Sequence, residues 1–96
     1  MIRSFADAGT EDLFNGRNTA AARRQLPTAL WPRARKLFDQ LAHAQALGDM
    51  AQPPGNRLET LTDDRYSVRV NDQYRITFRW TAAGAAEEVW CGDYHK

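Results

Sequence analysis

Two hydrophobic periods divide the chain near Gln52. Upstream, Leu30, Ala34, Leu37, Phe38 and Leu41 recur at three- and four-residue spacing, which puts them on one helical stripe. The spacing predicts a helix from about Leu30 to Ala46, with Pro32 in its first turn and Gly48 as its stop. Arg35, Lys36, Asp39 and His43 fall on the opposite, solvated side. Earlier, Ile2–Phe5 reads as a short strand. Thr10-Glu11-Asp12-Leu13-Phe14 reads as a brief capped helix ending near Gly16, and Arg17–Leu26 as a loop or a further helical piece.

Downstream of the Pro53-Pro54-Gly55 loop the period becomes two. Strands are predicted at Arg57–Leu61, Tyr66–Val70, Tyr74–Thr81 and Glu88–Tyr94, with turns at Thr62-Asp63-Asp64, at Asn71-Asp72 and around Gly84. Helices followed by a meander of strands give an α+β domain: an antiparallel sheet of about four to five strands with two or three helices packed on one face.

Alternation also divides the sheet chemically, since successive strand residues point to opposite sides. Tyr74, Ile76, Phe78 and Trp80 share one face, as do Tyr66, Val68 and Val70, and this apolar set belongs against the helices. The other face carries Arg57, Glu59, Arg69, Arg75 and Arg79. Antiparallel sheets often have one solvated side, so a plain outer face would account for polarity alone. It would not account for polar residues that are nearly all arginine, for a carboxylate among them, or for an acid, a phenol and an imidazole together at Asp93-Tyr94-His95.

Composition sharpens this picture. With 96 residues, 43% hydrophobic and 26% charged, the chain is expected to form one soluble domain with a modest core. A net charge of +1 argues against a protein that coats nucleic acid at large. Of the 13 basic residues only Lys36 and Lys96 are lysines, leaving eleven arginines. Coding bias towards arginine and alanine could produce that number; phosphate recognition by planar guanidinium forks could too. Cys91 is the single cysteine, so no internal disulfide is expected, which suits a reducing cytoplasm. Its alternation with Val89 marks it as a buried small hydrophobe, and Trp31 and Trp90 read as packing residues. The opening residues lack the apolar stretch of a signal peptide, and no apolar run approaches the length of a membrane span.

The open face has the inventory for cleaving RNA through its own 2′-hydroxyl. That reaction needs a base for the hydroxyl, an acid for the departing 5′-oxygen, and cations for charge growing on the phosphate. Glu or Asp, His and Arg can supply these in turn. No metal or other cofactor is required, and His43, His95 and Cys91 lie at spacings that make no zinc set. Ser4 and Ser67 lack the surroundings of a serine nucleophile.

With these residues in view, the chain resembles the HigB branch of the RelE/ParE toxins, and within it the GraT-like subgroup. The likeness rests on Met1-Ile2-Arg3-Ser4-Phe5, Pro53-Pro54-Gly55-Asn56-Arg57-Leu58-Glu59, Ser67-Val68-Arg69-Val70-Asn71-Asp72-Gln73-Tyr74-Arg75-Ile76 and Asp93-Tyr94-His95, in that order along the chain. The resemblance implies a RelE-like, microbial-RNase-like fold. It further implies a type II toxin that cuts messenger RNA in the ribosomal A site, made beside a HigA-type helix-turn-helix antitoxin through which alone it would touch operator DNA. Carried over by position, Arg75 would contact the scissile phosphate, and Asp93, Tyr94 and His95 would form the carboxy-terminal catalytic cluster. The general base would be Glu59 or Asp93, with Arg57, Arg69 and Arg79 as RNA contacts. Tyr74 stands where tryptophan is common. Trp90 and Gly92 replace an acid and an aliphatic residue, and Lys96 extends beyond the usual last histidine.

Two other functions fit the same fold. A ParE-like inhibitor of DNA gyrase would need no acid–base cluster, and an inactive relative would use the arginine face only to hold antitoxin or RNA.

Overall fold

The computed structural model describes residues 1–94. Within them α1 (Ala8–Asn15), α2 (Ala20–Gln25) and α3 (Trp31–His43) precede β1 (Glu59–Thr60), β2 (Arg65–Arg69), β3 (Tyr74–Trp80) and β4 (Ala86–Asp93). The strands form a four-stranded meander in the order β1-β2-β3-β4, every neighbouring pair antiparallel. The expected α+β architecture is present.

Helix α3 buries Ala34, Leu37, Phe38 and Leu41 of the stripe read from the sequence and adds Trp31 to them, while Leu30 is half-buried; Pro32 lies in its first turn. Its ends differ from expectation. Leu30 belongs to a preceding 3-10 turn, Thr28–Leu30, and the helix stops at His43, well before Gly48. The cause of the early stop is local competition: the Asp49 carboxylate accepts from Gln45 N and Ala46 N at 3.0 and 3.2 Å, drawing the chain into the 3-10 turn Leu47–Ala51.

The cap of α1 is Asp7 and not Thr10; its Oδ1 accepts from Thr10 N at 2.9 Å, and Gly16 closes the helix in the left-handed region. Thr10 is buried inside the helix and serves the sheet instead. Its hydroxyl accepts from Cys91 N at 3.1 Å, while Gln25 Nε2 donates to Cys91 O at 2.8 Å. The α1–α2 hairpin thereby covers the outer edge of β4 towards its carboxyl end.

The amino-terminal segment covers the rest of that edge. It pairs in parallel through Ile2 with Ala86 and Phe5 with Val89, as two isolated bridges. A bulge in β4 separates them: the register shifts between Thr77 and Arg79, and Glu88 has a left-handed φ of 53°. The amide of Glu88 is satisfied by Ser4 Oγ at 2.9 Å. An edge that would otherwise template association is so covered along most of its length.

The core joins the α3 stripe to Leu13, Leu26, Met50, Val68, Ile76, Phe78, Val89 and Cys91, all from one side of the sheet. Cys91 is fully buried as expected, and desolvation, with Asp7 adding to it, pushes its thiol up to about 12. It stays a protonated, inert thiol at neutral pH. Trp31 also packs, donating from Nε1 to Leu26 O at 2.9 Å.

Candidate functional site

Strand register determines which side chains share the face turned away from the helices. Glu59 pairs with Ser67, Ser67 with Thr77, and Thr77 with Trp90, giving one cross-strand row. The adjoining row is Arg69, Arg75 and Gly92; beyond the first row on its other side lie Arg65, Arg79 and Glu87. Ser67 and Thr77 are buried although no helix covers them, because the longer side chains around them close over the middle of the face. They form a floor, with Glu59 exposed at one end and Trp90 half-buried at the other.

The arginines of this face are not equivalent. The β4 bulge turns both Glu87 and Glu88 towards Arg79, whose guanidinium pairs with Glu87, with Glu88 at 3.4 Å and with Asp64 at 3.7 Å. Arg65 joins the same cluster through Glu88 at 2.9 Å. The Arg65 guanidinium, followed by Arg79, holds the Glu88 carboxyl below its usual range. Arg69 pairs with Asp72. Arg57 and Arg75, by contrast, have no carboxylate partner among the described residues. The row of Arg65 and Arg79 is therefore internally neutralised, while Arg75, in the row on the other side of Glu59, keeps its positive charge without a carboxylate partner among the described residues.

Local structure explains how these groups are held. The Pro53-Pro54-Gly55-Asn56 segment forms a 3-10 turn closed by Arg57 in the left-handed region, φ 48°. That conformation shortens β1 to Glu59–Thr60 where the sequence suggested Arg57–Leu61. Leu61 N turns back to Arg65 O at 2.8 Å at the other end. Asn56 is fully buried beneath the turn and donates to Gln40 Oε1, Met50 O and Gln52 O at 3.0, 3.0 and 3.1 Å. Arg33 of α3 reaches across to Asn56 Oδ1 at 3.3 Å and Arg69 O at 3.0 Å, tying the turn to the end of β2. Nothing in the sequence distinguishes this buried asparagine from an ordinary turn residue. Asn56→Ala leaves the buried Met50 carbonyl without this donor and is expected to cost roughly 1–3 kcal/mol. Urea unfolding checks this, and a midpoint equal to the parent's would show that the turn holds without it.

The hairpin between β2 and β3 positions Arg75. Asn71 Oδ1 accepts from Gln73 N and Tyr74 N at 2.9 and 2.8 Å, an Asx turn. The Arg75 guanidinium folds back onto the carbonyl of Asn71. Gln73 Nε2 donates to Asp93 Oδ2 at 2.8 Å and Gln73 O accepts from Tyr94 N at 3.2 Å, so the hairpin tip carries the end of β4 beside it. The Asn71–Arg75 stretch thus works as one unit, a role of Gln73 and Asn71 that residue type alone does not reveal.

The carboxy-terminal cluster divides. Asp93 pairs with Tyr74, so its register position belongs to the side opposite Arg75, at the rim. Tyr94 is 45% exposed. His95 lies outside the described residues. Glu59 and Arg75 share a face, two strands and one row apart, roughly 12 Å between backbones. Among the described residues no His, Cys, Asp and Glu gather into a group able to hold a metal ion. No helix among them is long and apolar enough to cross a membrane.

Comparison with known proteins follows the same lines. The chain matches the family described as RelE-like toxin of type II toxin–antitoxin system HigB over residues 3–95. It is 38% identical over 60 residues to Toxin HigB-1 of Vibrio cholerae (serotype O1, El Tor Inaba N16961), covering 59% of this chain and 63% of that protein. It is 30% identical over 59 residues to an uncharacterised protein of Haemophilus influenzae (strain Rd), covering 58% of each. These alignments span about three fifths of the curated relatives, whereas the family match takes in the helices, the sheet and the polar face alike. The chain belongs to the HigB-like family of RelE-like toxins of type II toxin–antitoxin systems.

Proposed function

We propose that this protein is a ribosome-dependent endoribonuclease that cuts messenger RNA in the A site and so arrests translation and growth. The supporting observation is the pairing register that puts Glu59 and Arg75 in neighbouring rows of the open face, with Arg57 two residues before Glu59 in the adjoining turn. Glu59 takes the proton from the 2′-hydroxyl, whose oxygen attacks the neighbouring phosphorus. The bond from phosphorus to the 5′-oxygen breaks, and His95 protonates that oxygen. The products are a 2′,3′-cyclic phosphate and a 5′-hydroxyl. Arg75 lies against the charge that grows on the non-bridging oxygens. Arg57 supplies a further phosphate contact; Arg69 and Arg79, already engaged by carboxylates, are weaker ones. Tyr94 stands at the exposed rim to orient RNA. Of the two candidate bases Glu59 is favoured, since Asp93 sits across the sheet and already accepts from Gln73. A cytoplasmic HigA-type helix-turn-helix antitoxin would be the resident partner.

Purified protein added to a programmed translation mixture tests this reading. The expected result is cut message with 5′-hydroxyl ends and halted translation, with gyrase supercoiling untouched. Intact message together with inhibited supercoiling would instead support the gyrase-directed alternative.

A further inference from the structure

The open face ends in a feature that the cleavage chemistry does not use. Trp90 occupies the last position of the Glu59–Ser67–Thr77 row, and its ring bends over Gly92 in the next row. A β-carbon placed on Gly92 would stand 2.5 Å from Trp90 Cζ2 and 2.9 Å from Cη2. The absence of a side chain at 92 is what lets the indole lie flat there. Gly92 is the cross-strand partner of Arg75, so the ring sits one strand from the guanidinium proposed to meet the scissile phosphate. A cleft of about 260 Å³ opens beside it, lined by Trp90, Gly92, Tyr74, Asp93, Arg24 and Gln25. Arg24, exposed on α2, lines that cleft, and its guanidinium has no hydrogen bond or ion pair among the described residues.

An indole half-open to solvent, a cleft with polar walls and an uncompensated guanidinium lining it make up the parts of a single-stranded nucleic-acid subsite. The flat ring offers a stacking surface to any base, and the guanidinium meets the phosphate that follows. The packing role read from the sequence accounts for the side of the ring on Gly92 but not for the exposed remainder. We propose that Trp90, seated on Gly92, is the stacking platform for one unpaired RNA base flanking the scissile phosphate, and that Arg24 contacts the backbone beyond it. RNA then crosses the sheet from Glu59 over Arg75 to Trp90 and leaves past α2. This rests on the reading of the face as an RNA-cleaving site.

The test uses two readouts. In the first, indole emission is followed while the protein is titrated with a short single-stranded RNA and with an otherwise identical oligomer carrying abasic nucleotides. Intact RNA should quench the parent but not Trp90→Phe, with the loss assigned to Trp90 because Trp31 is buried and Trp80, packed against the core at the far end of β3, is retained in the variant. Trp90→Ala and Gly92→Ala, the second displacing the ring while keeping it in the chain, should each weaken binding roughly 5- to 100-fold. The abasic oligomer should bind parent and variants alike. Thermal unfolding confirms that the variants are folded; Trp90→Phe serves as the milder replacement should Trp90→Ala not fold. In the second readout, messages with one abasic nucleotide on either side of the cut are cleaved on ribosomes. One position should slow the parent by a similar factor and leave Trp90→Ala unaffected. Equal binding of intact and abasic RNA by the parent, or an undiminished affinity of Gly92→Ala, overturns the platform. Base-dependent quenching without any cleavage would leave the platform standing and remove the nuclease reading; cleavage indifferent to abasic positions does the reverse.

Discussion

Glu59→Gln lowers the rate of message cleavage by about 10²–10⁴-fold, the usual contribution of a positioned general base. The change is nearly isosteric, and Glu59 is exposed at the edge of the sheet, so the fold should be untouched. Binding to ribosomes should be almost unaltered, because one edge carboxamide adds little to so large a contact. His95→Ala, removing the proposed acid, should act over the same range. The double variant should lose less than the product of the two factors if both groups serve one transition state. Single-turnover cleavage on programmed ribosomes measures each term. Parental rates for Glu59→Gln would transfer the role of base away from this residue, and fragments with 5′-phosphate ends would remove the 2′-hydroxyl mechanism altogether.

Arg75→Ala is expected to reduce cleavage at least about 10- to 100-fold, the equivalent of one charge-assisted hydrogen bond of roughly 1.5–3 kcal/mol lost from the transition state. Its effect on stability should be smaller, since its guanidinium meets only turn carbonyls and no buried carboxylate. Arg79→Ala provides the contrast. It leaves Glu87, Glu88 and Asp64 without their shared cation, and its main consequence should fall on folding of the β4 bulge. Cleavage that withstands Arg75→Ala but fails in Arg79→Ala, at equal fractions of folded protein, would place the reactive phosphate at the other end of the face.

Much of this architecture could be read from residue order. The stripe on α3 and the alternation in β2 and β3 assign a face to nearly every side chain, because burial enforces the period of each element whatever its neighbours do. The polar face with Glu59, Arg69, Arg75 and Arg79 followed directly from that alternation. Element ends were less legible. The stop of α3 depends on Asp49, six residues beyond His43, and the cap of α1 lies at Asp7 because Thr10 has a partner in β4. Each end is a competition between hydrogen-bond partners of similar strength, and a partner brought in by the fold decides it.

The sequence by itself determined the class of fold, the apolar stripe, the arginine-rich face and the family to which the chain belongs. Periodicity and residue type are local properties, and they survive any arrangement of the strands. Only the tertiary structure decided which of those arginines remain unneutralised, that Asp93 falls across the sheet from Arg75, and that Trp90 lies over Gly92 beside it. All three depend on cross-strand register and on a one-residue bulge in β4. A strand sequence shows its two faces but not what stands opposite each residue, because pairing register comes from turns and packing at a distance along the chain.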